Sequence, residues 1–492
     1  MSLSTPFPFP QISAPPSPRP RGKSIRKRMW QTVIALGAIW ILLIGQDIRE
    51  RLNDPSPKLS LGHDLLPSYA AGLLARQGRP RDMYDRQAIS EVEFRIIEQA
   101  QLNIDGRYGP WLNPPFYAWA FAPLSMLPYR QAAAVFLAFN LIAFAISLGL
   151  LWRIMWHGRP ARVFSAETSA SRLAHQNHHN PRTILLALLL VLLPLPLWQV
   201  MGHQQNTFIS LLLLTLGIFY WHRGNGFVAG LVAGLLFFKP QLAVAFAGIL
   251  VVGMGWRALA GLAVTGTALL LVTLLTMPGC LSDFLHRLPP ILHWLQVELP
   301  YNWGRQVTFH SFWRLIIQGQ VRGETILSVK IFAWSCSAAL GIFLAAAAWK
   351  FFKHRGDSVA RDRLIAAAIV SMPLLMPYYM DYDLLLLIIP AALLAREWMA
   401  HPDTMTTADR RLAYLWLGYC LESHFNPGLA SEFHAGKWVV NHLAGVVHLN
   451  HIAQIHLNLA VPILLGLSLL HICRCFRRTA VPAIFDARPI SG

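Results

Sequence analysis

The chain has 492 residues, 54% of them hydrophobic and only 13% charged, with a mean hydropathy of +0.42 and a formal net charge of +18. Soluble chains carry roughly 25% charged residues, so a water-facing globule is excluded, and repeated apolar runs of about 18 residues mark a polytopic integral membrane protein. The basic excess is that of cytoplasmic loops that set orientation, and no nucleic-acid-binding motif accompanies it.

Residues 1–28 combine a Pro/Ser-rich stretch, expected to be disordered, with a cytoplasmic basic block from Arg19 to Arg28. The run Met29–Gln46 reads as an uncleaved first span, which places the loop 47–111 outside. That loop is nearly neutral, with nine Lys/Arg and ten Asp/Glu, and has helical periodicity in Ala70–Leu74 and Val92–Gln101. The next block, NPPFYAWAFAPLSMLP (113–128), holds four prolines. These argue against a plain span and for short helices at the outer membrane face. A span over 131–152 leads to segment 153–182, whose five arginines make it a cytoplasmic loop. Its His175, His178 and His179 lack a second ligand set for a metal.

Further spans are expected at 183–200, 206–221, 226–238, 240–255, 258–277, 328–349, 364–379, 382–395, 412–421 and 457–473. Lys350, Lys353, Arg355, Arg361, Arg363, Arg396, Arg410, Arg411, Arg474, Arg477 and Arg478 then fall on the inner side. The fold expected is an all-α polytopic bundle of about 12 spans (11–13), both termini inside. A membrane domain over 29–396 includes the outer loops 47–111 and 278–327, with short helices in them. The region 397–473 has no role legible in the sequence, and 474–492 is a cytoplasmic tail. The five cysteines, Cys280, Cys336, Cys420, Cys473 and Cys475, show no metal or redox spacing.

Ionisable and amide groups at membrane depth are costly and therefore mark function. On this alternation they gather on the outer side: Asp64; the turn His203, Gln204, Gln205 and Asn206; Lys239; Asn302, Arg305, Gln306 and His310; and Tyr379, Asp381 and Asp383. Lys239, with Arg305 and His310 as helpers, suits a phosphate, and a carboxylate suits general-base work on a hydroxyl. Together they suggest transfer of a sugar from a lipid phosphate at the membrane edge. Each element has a plainer reading: Asp64 as a helix cap, Lys239 as a snorkelling lysine, Asp381-Tyr382-Asp383 as acids favoured at a helix start.

The blocks GHDLLPSYAAGLLARQGRPRDMYD, NPPFYAWAFAPLSMLP, HQQNTFISLLLLTLG, GFVAGLVAGLLFFKPQLAV, GWRALAGLAVTGTALLL and MPYYMDYDLLLLIIPAALL, in this order, resemble those of glycosyltransferase family 87. Its members are integral membrane enzymes of the GT-C class that use polyprenyl-phosphate sugars, typically mannose. The similarity runs over about residues 30–396. It implies a hexosyltransferase with Asp64 as catalytic base, Lys239, Arg305 and His310 toward the donor phosphate, and the remaining polar groups toward substrate. It also implies an inverting reaction on a glycolipid, glycan or protein acceptor, at the extracytoplasmic face of a bacterial-type inner membrane. His203 stands where many members have Gly, and Tyr382 where many have His. No cofactor is expected and no metal ligand set is indicated, although the acidic pair leaves a divalent ion open. Two other classes compete, a transporter or flippase and a non-catalytic scaffold. Transporters place ionisable groups near the midplane of two related halves, and no internal repeat is visible. Sugar, acceptor and oligomeric state are not legible.

Overall fold

The structure, a computed structural model, describes residues 62–102, 109–157, 195–353, 355–400, 406–411, 414, 415 and 458–476, with residues 31 and 38 alone upstream. The expected first span, the loop 158–182, most of the span 183–200, most of the span 412–421, the loop 422–456 and the tail from 477 lie outside the described residues. The described part is helical. Two helices form in the first loop, α1 (Leu65–Arg76) and α2 (Arg86–Ala100), joined by a 3-10 turn at Pro80–Tyr84. The Asp85 carboxylate starts α2 by accepting from the N–H groups of Gln87 and Ala88, both at 3.1 Å. The proline-rich block forms 3-10 turns at Pro115–Ala120 and Leu124–Met126, as its prolines predicted.

The bundle then runs α3 (Tyr129–His157), α4 (Leu195–His203), α5 (Thr207–His222), α6 (Gly226–Gly234), α7 (Pro240–Met254) and α8 (Trp256–Thr276). After it come α9 (Cys280–His293), α10 (Phe309–Ile317), α11 (Leu327–Lys353), α12 (Ser358–Leu375), α13 (Ile388–Ala400) and α14 (Ala460–Phe476). Three of these, α3, α8 and α11, hold stretches of 27, 21 and 27 residues that are long and apolar enough to cross a membrane. Their outward faces carry exposed Phe139, Ile142, Leu271, Leu275, Trp334 and Ile342. A surface that apolar has no place in water, and the chain is a membrane protein. The apolar helices α5, α6 with its 3-10 extension, α7 and α14 are shorter.

Local chemistry explains the breaks. Pro240 occupies the first position of α7, where its missing N–H costs nothing. Asn225 caps α6 by accepting from Val228 N–H at 3.2 Å. The expected span 364–379 stops at Leu375, because Met376 precedes Pro377 and is extended, with φ −92° and ψ 146°. Its successor, expected from 382, begins as a 3-10 turn at Asp381–Leu387. Small residues set the tightest crossing, between α6 and α8. A β-carbon on Gly230 would lie 2.1 Å from the Ala258 carbonyl oxygen, and one on Gly261 2.1 Å from that of Phe227. At the centre sits α12, buried without interruption from Leu364 to Leu374. It is covered by α7, α11, α13 and α14, so the C-terminal helix is packed into the same bundle.

Candidate active site

Asp64 occupies the residue before α1, a place where a carboxylate ordinarily caps the helix, yet its side chain makes no such bond. Its backbone N–H donates to the carbonyl of His203 at 3.2 Å, while Leu65 and Leu66, each 1% exposed, bolt the turn to the core. The carboxylate is directed to the His203 ring, Oδ2 to Nδ1 at 3.4 Å, and remains about a third open to its surroundings. The other ring nitrogen, Nε2, lies 3.4 Å from the Arg305 guanidinium. Guanidinium can only donate, so Nε2 accepts and Nδ1 carries the proton toward Asp64; the tautomer is assigned from these partners.

Arg305 reaches Asp381 with two nitrogens, Nε to Oδ2 and NH2 to Oδ1, both at 3.3 Å. Main-chain pairing brings these loops into register: an isolated antiparallel bridge pairs Gln306 with Met380, with Val307 N–H donating to Tyr379 C=O at 2.8 Å. Two residues further on, Asp383 accepts from Lys239 Nζ at 2.8 Å and from the Thr207 hydroxyl at 2.5 Å. Lys239 and Asp383 are both buried, and the ammonium faces the Tyr382 ring at 5.8 Å. The Tyr379 hydroxyl donates to the Asp383 carbonyl at 2.9 Å, so this tyrosine positions the acidic segment.

An unbroken relay therefore links Asp64, His203, Arg305 and Asp381, and one residue of backbone joins it to Asp383, Lys239 and Thr207. Charge is unequally matched along it. Arg305 balances Asp381 and Lys239 balances Asp383, whereas Asp64 faces an imidazole. Both acids of the Asp-Tyr-Asp pair are held by protein cations, and among the described residues no group of three or more His, Cys, Asp or Glu converges as a metal cage would.

Buried amides surround the relay. Asn206 donates to the Tyr117 hydroxyl at 3.1 Å, and Gln306 donates to the Tyr301 hydroxyl at 2.6 Å. Tyr301 takes a second bond from Tyr378, and burial, only partly offset by these two donors, pushes its hydroxyl up to about 12. Asn458, just before α14, donates its amide to the carbonyls of Gln306 and Gly304, which ties the C-terminal region to the site. Gln205 is fixed by its backbone N–H to Val200 C=O at 3.1 Å, and Asn302 by its carbonyl, which accepts from Arg305 N–H at 3.2 Å. His310 stands apart: its ring packs edge-on against Trp303 at 5.3 Å, and burial together with Arg314 lowers its pKa.

The sequence singled out neither Thr207, Tyr117, Tyr301 nor Tyr378. Thr207 directly follows the Gln-x-Asn turn as the first residue of α5, a polar residue at a span's start, and that was the available signal. The tyrosines look like ordinary membrane-interface aromatics until their hydroxyls are seen to be engaged.

The sequence model of glycosyltransferase family 87 matches residues 111–377, more than half of the chain. The chain belongs to glycosyltransferase family 87. The matched segment contains the 203–206 turn, Lys239 and the 302–310 loop; Asp64 precedes it and Asp381 and Asp383 follow it. No curated protein and no solved structure matches the chain. As a member of the family it is a glycosyltransferase of the membrane, taking a sugar donor and an acceptor.

Proposed function

We propose that this glycosyltransferase moves a hexose, with mannose as the first candidate, from a polyprenyl-phosphate donor to a hydroxyl of a glycolipid, glycan or protein acceptor, with inversion. The site end of the bundle faces the extracytoplasmic side, and the GT-C membrane domain spans 29–396. The observation that carries the reading is the charge pattern of the relay: among the described residues Asp64 is a part-open carboxylate whose ion-pair partner is an imidazole, beside two carboxylates already matched by cations. A carboxylate so placed has capacity to accept a proton. His203 lies against it, Nδ1 to Oδ2 at 3.4 Å, and Arg305 lies against the other ring nitrogen.

In the proposed reaction Asp64 removes the acceptor hydroxyl proton, the oxygen attacks the anomeric carbon, and the bond to the phosphate oxygen breaks with its electrons leaving on phosphate. The charge that grows there is met by the cations Arg305 and Lys239. The polyprenyl chain stays in the bilayer, which accounts for a site at the end of a lipid-facing bundle. No step calls on a metal ion.

The test is transfer from polyprenyl-phosphate mannose, glucose or galactose in vesicles holding the purified protein. Asp64→Asn, correctly inserted, should lose about 10²- to 10⁴-fold in turnover, the contribution of a general base. Undiminished turnover in that variant would remove Asp64 from the mechanism. If the wild type consumes no lipid-linked sugar, the donor class is wrong.

A further inference from the structure

Gln204 is unusual in three independent ways. Its side chain is 2% exposed, yet neither the amide oxygen nor the amide nitrogen has a hydrogen-bond partner. Its backbone is left-handed, φ 54°, one of two such non-glycine residues among those described. And it directly follows His203, the residue that holds Asp64 by both backbone and ring. A buried carboxamide with both functions unpaired is costly, and so is a left-handed side-chain-bearing residue; such costs collect at functional sites. The opposing chain makes room for the amide. Gly62, two residues before Asp64, is itself left-handed at φ 72°, and a β-carbon there would lie 3.3 Å from the Gln204 amide oxygen and 2.8 Å from the Tyr129 hydroxyl. That hydroxyl donates to the Gly62 carbonyl at 2.7 Å and pins the turn.

The unpaired atoms define what they can bind. Beside the Gln204 donor and acceptor, the amide oxygens of Asn206 and Gln306 are also buried without partners. Three acceptors with one donor suit a neutral polyol, whose hydroxyls both donate and accept. A phosphate, which at neutral pH is chiefly an acceptor, would be repelled by them and belongs with Arg305 and Lys239.

We propose that Gln204 is the specificity-determining side chain of the sugar subsite: its amide oxygen accepts from one hydroxyl of the transferred hexose and its amide nitrogen donates to the neighbouring hydroxyl. This rests on the glycosyltransferase reading of the same site and adds the residue that chooses the sugar.

The experiment compares the polyprenyl-phosphate hexose that the wild type consumes fastest, mannose being tried first, with its singly deoxygenated analogues. In wild type, removal of either of two adjacent hydroxyls should lower kcat/KM by about 10- to 100-fold, because an amide function is then left unpaired. In Gln204→Leu both penalties should shrink to about threefold or less, by the logic of a cycle between substrate and side chain. Gln204→Glu, which keeps the shape and replaces the donor by an acceptor, should erase one penalty and retain the other. It carries the test alone if the leucine variant fails to insert. A merely structural glutamine would leave the ratio between parent and deoxy donors unchanged in both variants, and that result overturns the proposal while leaving the transferase reading intact. Absence of transfer from every lipid-linked hexose removes both.

Discussion

Each end of the helix bundle carries a cluster of three carboxylates among arginines, lysine or histidine, and the two clusters are matched differently. At the site end, Asp64, Asp381 and Asp383 face two permanent cations, Arg305 and Lys239. At the opposite end, Asp362, Glu397 and Asp409 face four: Arg361 and Arg396 on Asp362 at 3.0 and 2.6 Å, Arg363 on Glu397 at 2.8 Å, and Arg474 on both Glu397 and Asp409 at 3.5 and 2.7 Å. His222 adds a contact to Asp362 at 3.0 Å. There each carboxylate is claimed by a guanidinium, and the cluster stitches the C-terminus of α5 to the N-terminus of α12, to α13 and to the last turn of α14. Among the described residues cations outnumber acids in that cluster, whereas at the site end the acids outnumber the cations.

The strongest way to break this contrast is to remove a cation at each end and then restore neutrality. Lys239→Met and Arg474→Met should each cost about 3–5 kcal/mol, since either leaves a buried carboxylate without its cation. Melting in detergent would register both. Adding Asp383→Asn to the first and Asp409→Asn to the second should return much of the stability. Only the pair at the opposite end should also return transfer activity. Full turnover in the Lys239→Met/Asp383→Asn protein would make the site-end pair as structural as the other.

A smaller effect sharpens the picture of the loop that carries Asp64. Glu93, in α2, is wholly buried and its carboxylate accepts a hydrogen bond from Gly109 N–H at 3.0 Å. Burial, opposed only by that bond, raises its pKa well above the ordinary carboxylate range. The folded state therefore holds this proton more tightly than the unfolded chain. The stability this lends is complete below the unfolded pKa and is lost as pH rises through the folded one. Melting temperature should fall with pH across that window in wild type, and Glu93→Gln should flatten the slope. An equal slope in the variant would assign the dependence to another group. The least effect is expected at His310, which the structure keeps out of the relay. His310→Ala should cost about 0.5–1.5 kcal/mol of packing against Trp303, with turnover unchanged; a large fall in activity would bring it back as a donor ligand.

The two ends were unequally legible. Apolar runs, Lys-Pro, and Gly or Pro at the breaks announce most helix limits, because local propensity and periodicity decide them. The 113–128 turns and both first-loop helices followed from proline count and rhythm. Asp64, Lys239 and Asp381–Asp383 stood out for their depth in an oily chain. What could not be read is pairing. Lys239 and Asp383 lie 144 residues apart, and tertiary packing brings them together, with the Asp381–Leu387 turn seated on α4 and α5 and α7 against α12. Arg361, Arg363, Arg396 and Arg474 were legible as inner-side charges, and the structure shows them spent on buried carboxylates instead of facing lipid headgroups. Glu93 falls on the same helical face as Ile89, Val92 and Ile96, but an acid on an apolar face reads as solvated, and its partner, the Gly109 N–H, lies 16 residues on.

The bridge between Gln306 and Met380 has a mechanical consequence. Two strands of main chain joined by backbone hydrogen bonds shift as one piece, and this piece carries Arg305 on one side and Asp381 and Asp383 on the other. A displacement of the 302–307 loop would carry the acidic segment with it, so the partners of Arg305 and Lys239 move together. The two ion pairs are in that sense geared together through backbone, with no α-helix between them.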